Sequence, residues 1–382
     1  MPSYDLTPEQ EMLRKTVRDF AEEEIRPVAQ KLDEKEEFSY ALVDKMGKLG
    51  LFGITISPDC GGQGLDTLSY IIVVEELARV DGCQAATVAA ENGLGIGPIY
   101  HFGNENQKKK YLPDLCTGKK LWGFGLTEPG AGSDAGNSTT RAELKDGKWT
   151  INGSKIFITN AASKITGGVT VQCVTGGTKE KKEISCIIVE SGTTGFTSRE
   201  MHHKMTWRSS NTGELYFENV QVPEGNILGR RGDGYRQMLA TLDGGRLAIA
   251  AMGVGGAQGA FEAALKYAKE RKTFGVPISQ HQTIAFKLAD MAMEIELART
   301  FLYKACWLKD QGRPFKMEAA MAKLYASEMM GRVVDAAVQI HGGYGLMEEY
   351  PVAKFYRDQR LLEIGEGTSE VQRIVISRQL GC

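Results

Sequence analysis

The 382-residue chain lacks the means for a disulfide framework or a metal centre. Its seven cysteines (Cys60, Cys83, Cys116, Cys173, Cys186, Cys306 and Cys382) are odd in number and widely spaced, and none forms a CxxC pair. Scattered thiols of this kind point to a reducing compartment. The five histidines include the adjacent His202 and His203 but no HxxxH or HExxH spacing, so no metal site is supported. An excess of one charge is also missing: 46 basic against 48 acidic side chains leave −2. That balance gives no field for gathering nucleic acid or an anionic membrane. No uncharged apolar run is long enough to span a bilayer. The start, "MPSYDLTPEQEML", has neither the basic residues nor the apolar stretch of a signal peptide, and the expected location is the cytoplasm. There is no internal repeat or low-complexity segment.

What is present changes texture along the chain. Thr7-Pro8-Glu9-Gln10 reads as a capping box with proline at the first helical position, and Leu13, Val17, Phe20 and Ala21 follow at helical spacing. "TLSYIIVVEELARV" (67–80) predicts a second, apolar helix, with "SPDCGGQGLD" (57–66) as loop. From about residue 121, Gly, Thr, Val and Ile dominate. Asp146-Gly147 joins two short β-like runs, and "KWTINGSKIFITN" (148–160), "ISCIIVE" (184–190) and "GELYFENVQV" (213–222) are strand candidates. Helical periodicity returns near 231, with long runs over 233–271, 281–311 and 316–340 that end at "HGGYGL" (341–346). The expected fold is α+β, mainly α: a helical domain over 1–120, a β-domain (barrel or sandwich) over 121–230 and a helical domain over 231–382. A cleft where three such blocks meet is a usual place for a cofactor.

Glycine-rich strings come first among the motifs. "GLGIG" (93–97) and "GVGGAQG" (253–259) look like dinucleotide loops, but each lies in helical context with no preceding strand, so close helix packing is the expected role. "LTEPGAGSD" (126–134) fixes a turn whose backbone donors, with the Thr127 and Ser133 hydroxyls, suit ring carbonyls or phosphate oxygens. In "KIFITN" (155–160), even alternation would put Phe157 and Thr159 on one side of a strand, a ring for stacking beside a hydroxyl. "ERKTFGVPISQHQ" (270–282) sets Arg271, Thr273 and Phe274 past one helix and Gln280, His281 and Gln282 at the start of the next. An arginine, an aromatic ring and a helix N-terminus suit a pyrophosphate and an adenine. Each string alone also has a plain structural reading as a turn or core strand.

Taken in order, "LTEPGAGSD", "KIFITN", "RLAIAAMGVGGAQGA", "ERKTFGVPISQHQ", "QIHGGYGLMEEYPV" and "IGEGTSEVQR" resemble the acyl-CoA dehydrogenase family over essentially the whole chain. The resemblance implies an N-terminal helical domain, a β-domain and a C-terminal four-helix bundle enclosing FAD. It implies that Leu126, Thr127, Gly132 and Ser133 meet the flavin and its ribityl chain, with Ser133 also near substrate. Phe157 stands where the family commonly has tryptophan and would cover the ring, while Thr159 would donate toward flavin N5. Arg271, Thr273, Phe274, Gln282, Gln339 and Gly343 would hold pyrophosphate and adenine, some reaching from a neighbouring subunit, and Thr368 and Glu370 would complete the FAD site. A homotetramer built as a dimer of dimers, and an electron-transfer flavoprotein as acceptor, follow from the same likeness.

By that match Glu366, in "LLEIGEGTSEVQR" (361–373), is the base that removes the α-proton of an acyl thioester while the β-hydrogen leaves as hydride. Gly365 and Gly367 on either side allow backbone to approach the thioester. Helix geometry alone leaves Glu363 and Glu370 open as bases; the match and the Gly-Glu-Gly setting favour Glu366. Relatives that supply a base from the helix around "LDGGRLAIA" (242–250) do so where this chain has Gly245, and Asp243 and Arg246 take CoA or pocket-neighbour roles. Gly365 replaces a tyrosine found in many straight-chain enzymes, and the volume gained suggests a branched, cyclic or aryl-bearing acyl group. Ala85 stands where glutaryl-CoA enzymes carry an arginine, which argues against a dicarboxylate. Glu91, in the matching pocket helix, is read either as a structural acid or as a pocket residue that contacts a polar substrate group or acts as a second base near a distal carbon. Trp207 has no assigned role, and His202-His203 are expected at the surface. The alternatives are an acyl-CoA oxidase using dioxygen, which usually carries a further C-terminal domain, and a non-catalytic helical scaffold with no flavin. A nitroalkane oxidase would want an aspartate base.

Overall fold

The computed structural model describes residues 5–178 and 181–382. The capping box opens α1 (Pro8–Phe20): the Thr7 hydroxyl accepts from the Gln10 N–H at 3.2 Å, and the Gln10 side-chain oxygen accepts from the Thr7 N–H at 3.0 Å. The helices α2 (Arg26–Lys35), α3 (Tyr40–Lys48), α4 (Thr67–Ala78), α5 (Gly82–Ala90), α6 (Gly97–Phe102) and α7 (Glu105–Cys116) complete the N-terminal region. A helix apolar on every side belongs in the interior. In α4 only Leu68 escapes burial.

The central region is a mixed sheet. Its strands are β1 (Leu121–Gly125), β2 (Arg141–Lys145), β3 (Lys148–Thr159), β4 (Thr166–Gly177), β5 (Lys182–Glu190), β6 (Phe196–Glu200), β7 (Thr212–Pro223) and β8 (Ile227–Leu228). The order is β6-β7-β3-β2-β4-β5-β8, with β1 parallel to β4. The β2–β3 turn uses Asp146 and Gly147 at φ 50° and 72°, the pair of left-handed residues that a tight hairpin needs. β2 and β4 meet at the single pair Arg141–Val174, so the sheet divides there into two halves. Ile151, Leu215 and Phe217 of one half share a core with Val169, Val171 and Ile187 of the other.

The C-terminal region is α8 (Gly234–Glu270), a short hairpin of β9 (Lys272–Thr273) and β10 (Val276–Pro277), α9 (Gln282–Asp310), α10 (Lys316–His341), α11 (Pro351–Leu362) and α12 (Ser369–Gln379). Helices α8 to α11 pack on one another, and α12 lies on α10. "GVGGAQG" is mid-helix, as its context suggested. A Cβ at Gly255 would stand 2.2 Å from the Glu75 carbonyl oxygen, and one at Gly259 2.1 Å from that of Arg79. The glycines thus let α4 lie against the backbone of α8.

Three regions are pinned together by one buried ammonium. Lys354 of α11 donates to Asp81 Oδ1, before α5, at 2.8 Å, and to Asp358 Oδ2. Asp358 Oδ1 accepts from the Trp207 N–H in the β-region loop at 2.9 Å. Burial opposes the Lys354 charge, but Asp358 and Asp81 outweigh it and hold its pKa well above the ordinary value. Asp81, Cys83 and Asp358 have metal-ligand spacing, but the lysine already fills the place of a cation. Lys354→Met would leave the two carboxylates facing each other and is expected to cost about 3–5 kcal/mol in urea unfolding. This junction gives Trp207 a structural role.

Candidate active site

The chain turns from α11 into α12 at Gly365-Glu366-Gly367. Glu366 takes φ 51° and Gly367 φ 92°, and Thr368 then caps α12 by accepting from the Val371 N–H at 3.3 Å. Left-handed backbone is uncommon outside glycine and is held only where surroundings enforce it. Gln372 supplies part of that restraint, donating from Nε2 to the carbonyls of Glu366 (3.2 Å) and Gly367 (2.9 Å).

The turn sends the Glu366 side chain inward. Its Oε2 is buried without a hydrogen-bond partner among the described residues. A Cβ built on Gly245 of α8 would stand 1.9 Å from that oxygen, so the carboxylate rests in the space the glycine leaves. Burial pushes the Glu366 carboxyl up to about 7, against the pull of Lys323 on α10 and Arg246 on α8. Tyr70 of α4 faces the same group; burial, then the Glu366 charge, raises its phenol. Arg246 donates to Asp243 Oδ1, and the other oxygen of Asp243 lies 3.9 Å from Lys316. The Glu366 N–H is bonded to no backbone carbonyl among the described residues. The site therefore holds a desolvated, unpaired carboxylate beside an uncommitted backbone donor.

A second constellation surrounds the end of β1. Lys155 of β3, fully buried, donates to the Leu126 carbonyl (3.1 Å) and to Glu128 Oε1 (2.8 Å). Glu128 also accepts from Ser138, from the N–H and hydroxyl of Thr139, and from the Thr140 N–H. Burial opposes its charge, but Lys155 and these donors hold it well below the usual carboxylate range. The clamp leaves the loop between exposed: Gly132 and Ser133 face outward, and no atom lies within 4 Å of a Cβ built on Gly130 or Gly132.

The even alternation expected across 155–160 is broken. The β3–β7 register shifts between Lys155 and Ile158, and Phe157 takes φ 61° with the residue 62% exposed. A bulge thus turns the ring outward while Lys155 goes inward. Thr159 is half-buried. Beyond it, Asn160 Nδ2 donates to the Thr87 carbonyl of α5 at 3.1 Å, and Tyr70, which faces Glu366, donates to Ala89 of the same helix at 2.9 Å. The strand end and Tyr70 therefore meet one turn of α5. An open glycine loop, a ring presented without cover and a half-buried threonine fit a flat heteroaromatic cofactor.

Arg271, Thr273, Phe274, Gln282, Gln339 and Gly343 gather elsewhere. Thr273 Oγ1 lies 2.8 Å from His281 Nε2, Phe274 is 97% exposed at φ 50°, and Arg271 stands 6.0 Å over the Tyr344 ring. Gln282, Gln339 and Gly343 are also exposed. At 1.5 Å per residue, α8 sets Arg271 about 39 Å from Gly245, so Arg271 does not meet Glu366 within one chain. Glu370 is exposed in the first turn of α12.

Glu91 is fully buried, its Oε2 accepting from the Trp122 N–H at 2.9 Å and from Asn160 Nδ2 at 3.4 Å. Burial raises its carboxyl well above the usual range. It faces β1, and its Oε1 has no partner among the described residues. His202 and His203 are exposed beside Glu36. Reading the sequence passed over Lys323 and Gln372. A lysine among Ala319, Ala322 and Ala326 on the buried stripe of α10 was the available signal.

Three family models cover most of the chain: acyl-CoA dehydrogenase N-terminal domain over residues 7–119, middle domain over 123–220 and C-terminal domain over 232–381. "Probable acyl-CoA dehydrogenase YngJ" of Bacillus subtilis is 52% identical over 379 residues, 99% of each chain. The caffeyl-CoA reductase–Etf complex subunit CarC of Acetobacterium woodii is 44% identical over 97% of each. The butyryl-CoA dehydrogenase structure from Megasphaera elsdenii superposes with a TM-score of 0.96, at 43% identity over 100% of both chains.

Proposed function

Since this chain belongs to the acyl-CoA dehydrogenase family, an FAD-dependent group of oxidoreductases acting on acyl-CoA, we propose that Glu366 is its catalytic base and that it dehydrogenates a short, branched, cyclic or aryl-bearing acyl thioester at Cα–Cβ. The observation that carries the reading is the Glu366 carboxylate, desolvated and unpaired over the bare face of Gly245.

Leu126, Thr127, Gly132, Ser133, Phe157 and Thr159 would hold the flavin, which when bound supplies the hydride acceptor. The chain's own residues do the rest. Glu366 takes the α-proton, and its raised pKa makes it a stronger base once ionised. Its N–H is placed to stabilise the negative charge that develops on the thioester oxygen. Asp243 and Arg246 are paired on α8, and Arg246 acts on the same carboxylate; both are assigned CoA or pocket-neighbour roles. Gly365 and Gly367 keep the backbone low beside the thioester; a Cβ at Gly365 would come within 3.1 Å of Leu361 Cδ2.

The distal group supports an oligomer. Arg271 lies too far from Glu366 for one molecule's cofactor to use both, so we assign it, with Thr273, Phe274, Gln282, Gln339 and Gly343, to the pyrophosphate and adenine of a neighbour's FAD in a homotetramer. Thr368 and Glu370, next to the base, would complete the chain's own FAD site. The CarC relative, named as part of a complex with Etf, supports an electron-transfer flavoprotein as acceptor. Among the described residues no helix is long and apolar enough to cross a membrane, and we place the protein in the cytoplasm. The domain division we adopt is 1–120, 121–230 and 231–382. Of its two readings, Glu91 is assigned that of a structural acid, buried against the Trp122 N–H and Asn160.

Anaerobic bleaching of the flavin by straight, branched, cyclic, aryl-bearing and dicarboxylic acyl-CoAs tests the substrate class. Short, branched or ring-bearing thioesters are expected to bleach fastest, with the rate rising toward a plateau as pH passes about 7. Fastest reduction by octanoyl- or glutaryl-CoA would contradict the assignment.

A further inference from the structure

Lys323 sits in the middle of α10 with its side chain wholly buried. A buried lysine is normally answered by a carboxylate. Here, among the described residues, the ammonium's hydrogen bond goes instead to a backbone carbonyl, that of Gly367, at 2.7 Å. Gly367 is the residue after the base, in the left-handed turn that aims Glu366 inward.

We propose that Lys323 is a positioning residue for the base: its ammonium fixes the Glu366–Gly367 turn and supplies the counter-charge under which the Glu366 carboxylate ionises. The inference rests on the assignment of Glu366 made above. Other charges around the pair do not replace this one. Glu366 is faced by Lys323 from α10, Arg246 from α8 and the neutral Tyr70 from α4, and Lys323 exerts the stronger pull of the two cations. Arg246 is already engaged with Asp243. Lys323 is faced in turn by Glu366, Glu363 and Glu328, and by Arg246. Burial brings the Lys323 ammonium down to about 8, so near neutral pH it is charged while Glu366 is losing its proton. Gln372 holds the same Gly367 carbonyl, and that of Glu366, with neutral hydrogen bonds, which lets the two contributions be separated.

Three variants make the test: Lys323→Met, Lys323→Arg and Gln372→Met, each read by the pH dependence of flavin reduction and by infrared titration of the Glu366 carboxyl without acyl-CoA. Removing the positive charge should move the acid limb and the carboxyl titration up by about one pH unit, with KM little changed. Arginine should restore the wild-type limb, and Gln372→Met should lower the rate at every pH without moving it. If Lys323→Met does not fold, Lys323→Gln reads the same shift. A limb unmoved by loss of the lysine charge, or moved equally by Gln372→Met, would overturn the proposal. Wild-type enzyme that no acyl-CoA bleaches would instead count against the dehydrogenase reading, and the infrared titration would still report on Lys323.

Discussion

Glu366→Gln is expected to lower the rate of acyl-CoA-dependent flavin reduction about 10⁴-fold, with FAD binding retained. Glutamine keeps the shape of the side chain and cannot take a proton. Among the described residues no other carboxylate shares its setting: Glu363 is held by Arg360, Glu370 is exposed, and Glu91 faces Trp122 and Asn160. The substitution should also leave a signature in stability. The folded pKa of about 7 lies above the ordinary 4.5, so the native state keeps a proton that the unfolded chain releases in that interval. Wild-type stability from this site is therefore present below 4.5 and lost as pH rises toward 7. Allowing for water that reaches the half-buried residue, Glu366→Gln should gain about 1–2 kcal/mol over wild type at pH 8 and nothing at pH 4. Thermal unfolding at the two pH values checks it. A variant that gains equally at both would mean that the carboxylate is not desolvated.

Gly245→Ala is the second large effect. The added Cβ would stand 1.9 Å from Glu366 Oε2 and 2.9 Å from its Cδ. The atom it meets is the free end of a flexible side chain, so the carboxylate swings away and the helices stay. Alanine also favours the helix over glycine by about 1 kcal/mol, which offsets what remains of the clash. Misplacing a reacting group by about an ångström costs on the order of 10²-fold in rate. The expected result is a kcat lowered about 100-fold in a protein whose melting temperature is unchanged or higher. Wild-type turnover in Gly245→Ala would mean that the productive carboxylate lies somewhere else.

Much of the fold was legible because it depends on local periodicity. The apolar run 67–80 could only be an interior helix, and it became α4. Asp146-Gly147 could turn a hairpin because both residues tolerate left-handed backbone, and they do so here. The glycines of 253–259 read as helix packing because no strand precedes them, and α4 lies against Gly255 and Gly259 while α10 lies against Gly253 and Gly256. What stayed hidden depends on partners distant in sequence. The bulge at Phe157 exists because Lys155 turns inward to Glu128, 27 positions away, and no alternation pattern announces it. Trp207 was opaque because its partner is Asp358. Lys323 was visible as an anomaly, a charge on a stripe of alanines, but its meaning needed the Gly367 carbonyl beside it.

In this mechanism Glu366 takes the α-proton of an acyl thioester. Exchange of the substrate α-hydrogen with solvent deuterium, followed by mass spectrometry on anaerobic enzyme with butyryl-CoA, tests it most directly. Wild-type protein is expected to label the α-carbon, with the rate rising as pH passes about 7, and Glu366→Gln should not label it at all. Labelling by Glu366→Gln at the wild-type rate would contradict the account and place the base elsewhere.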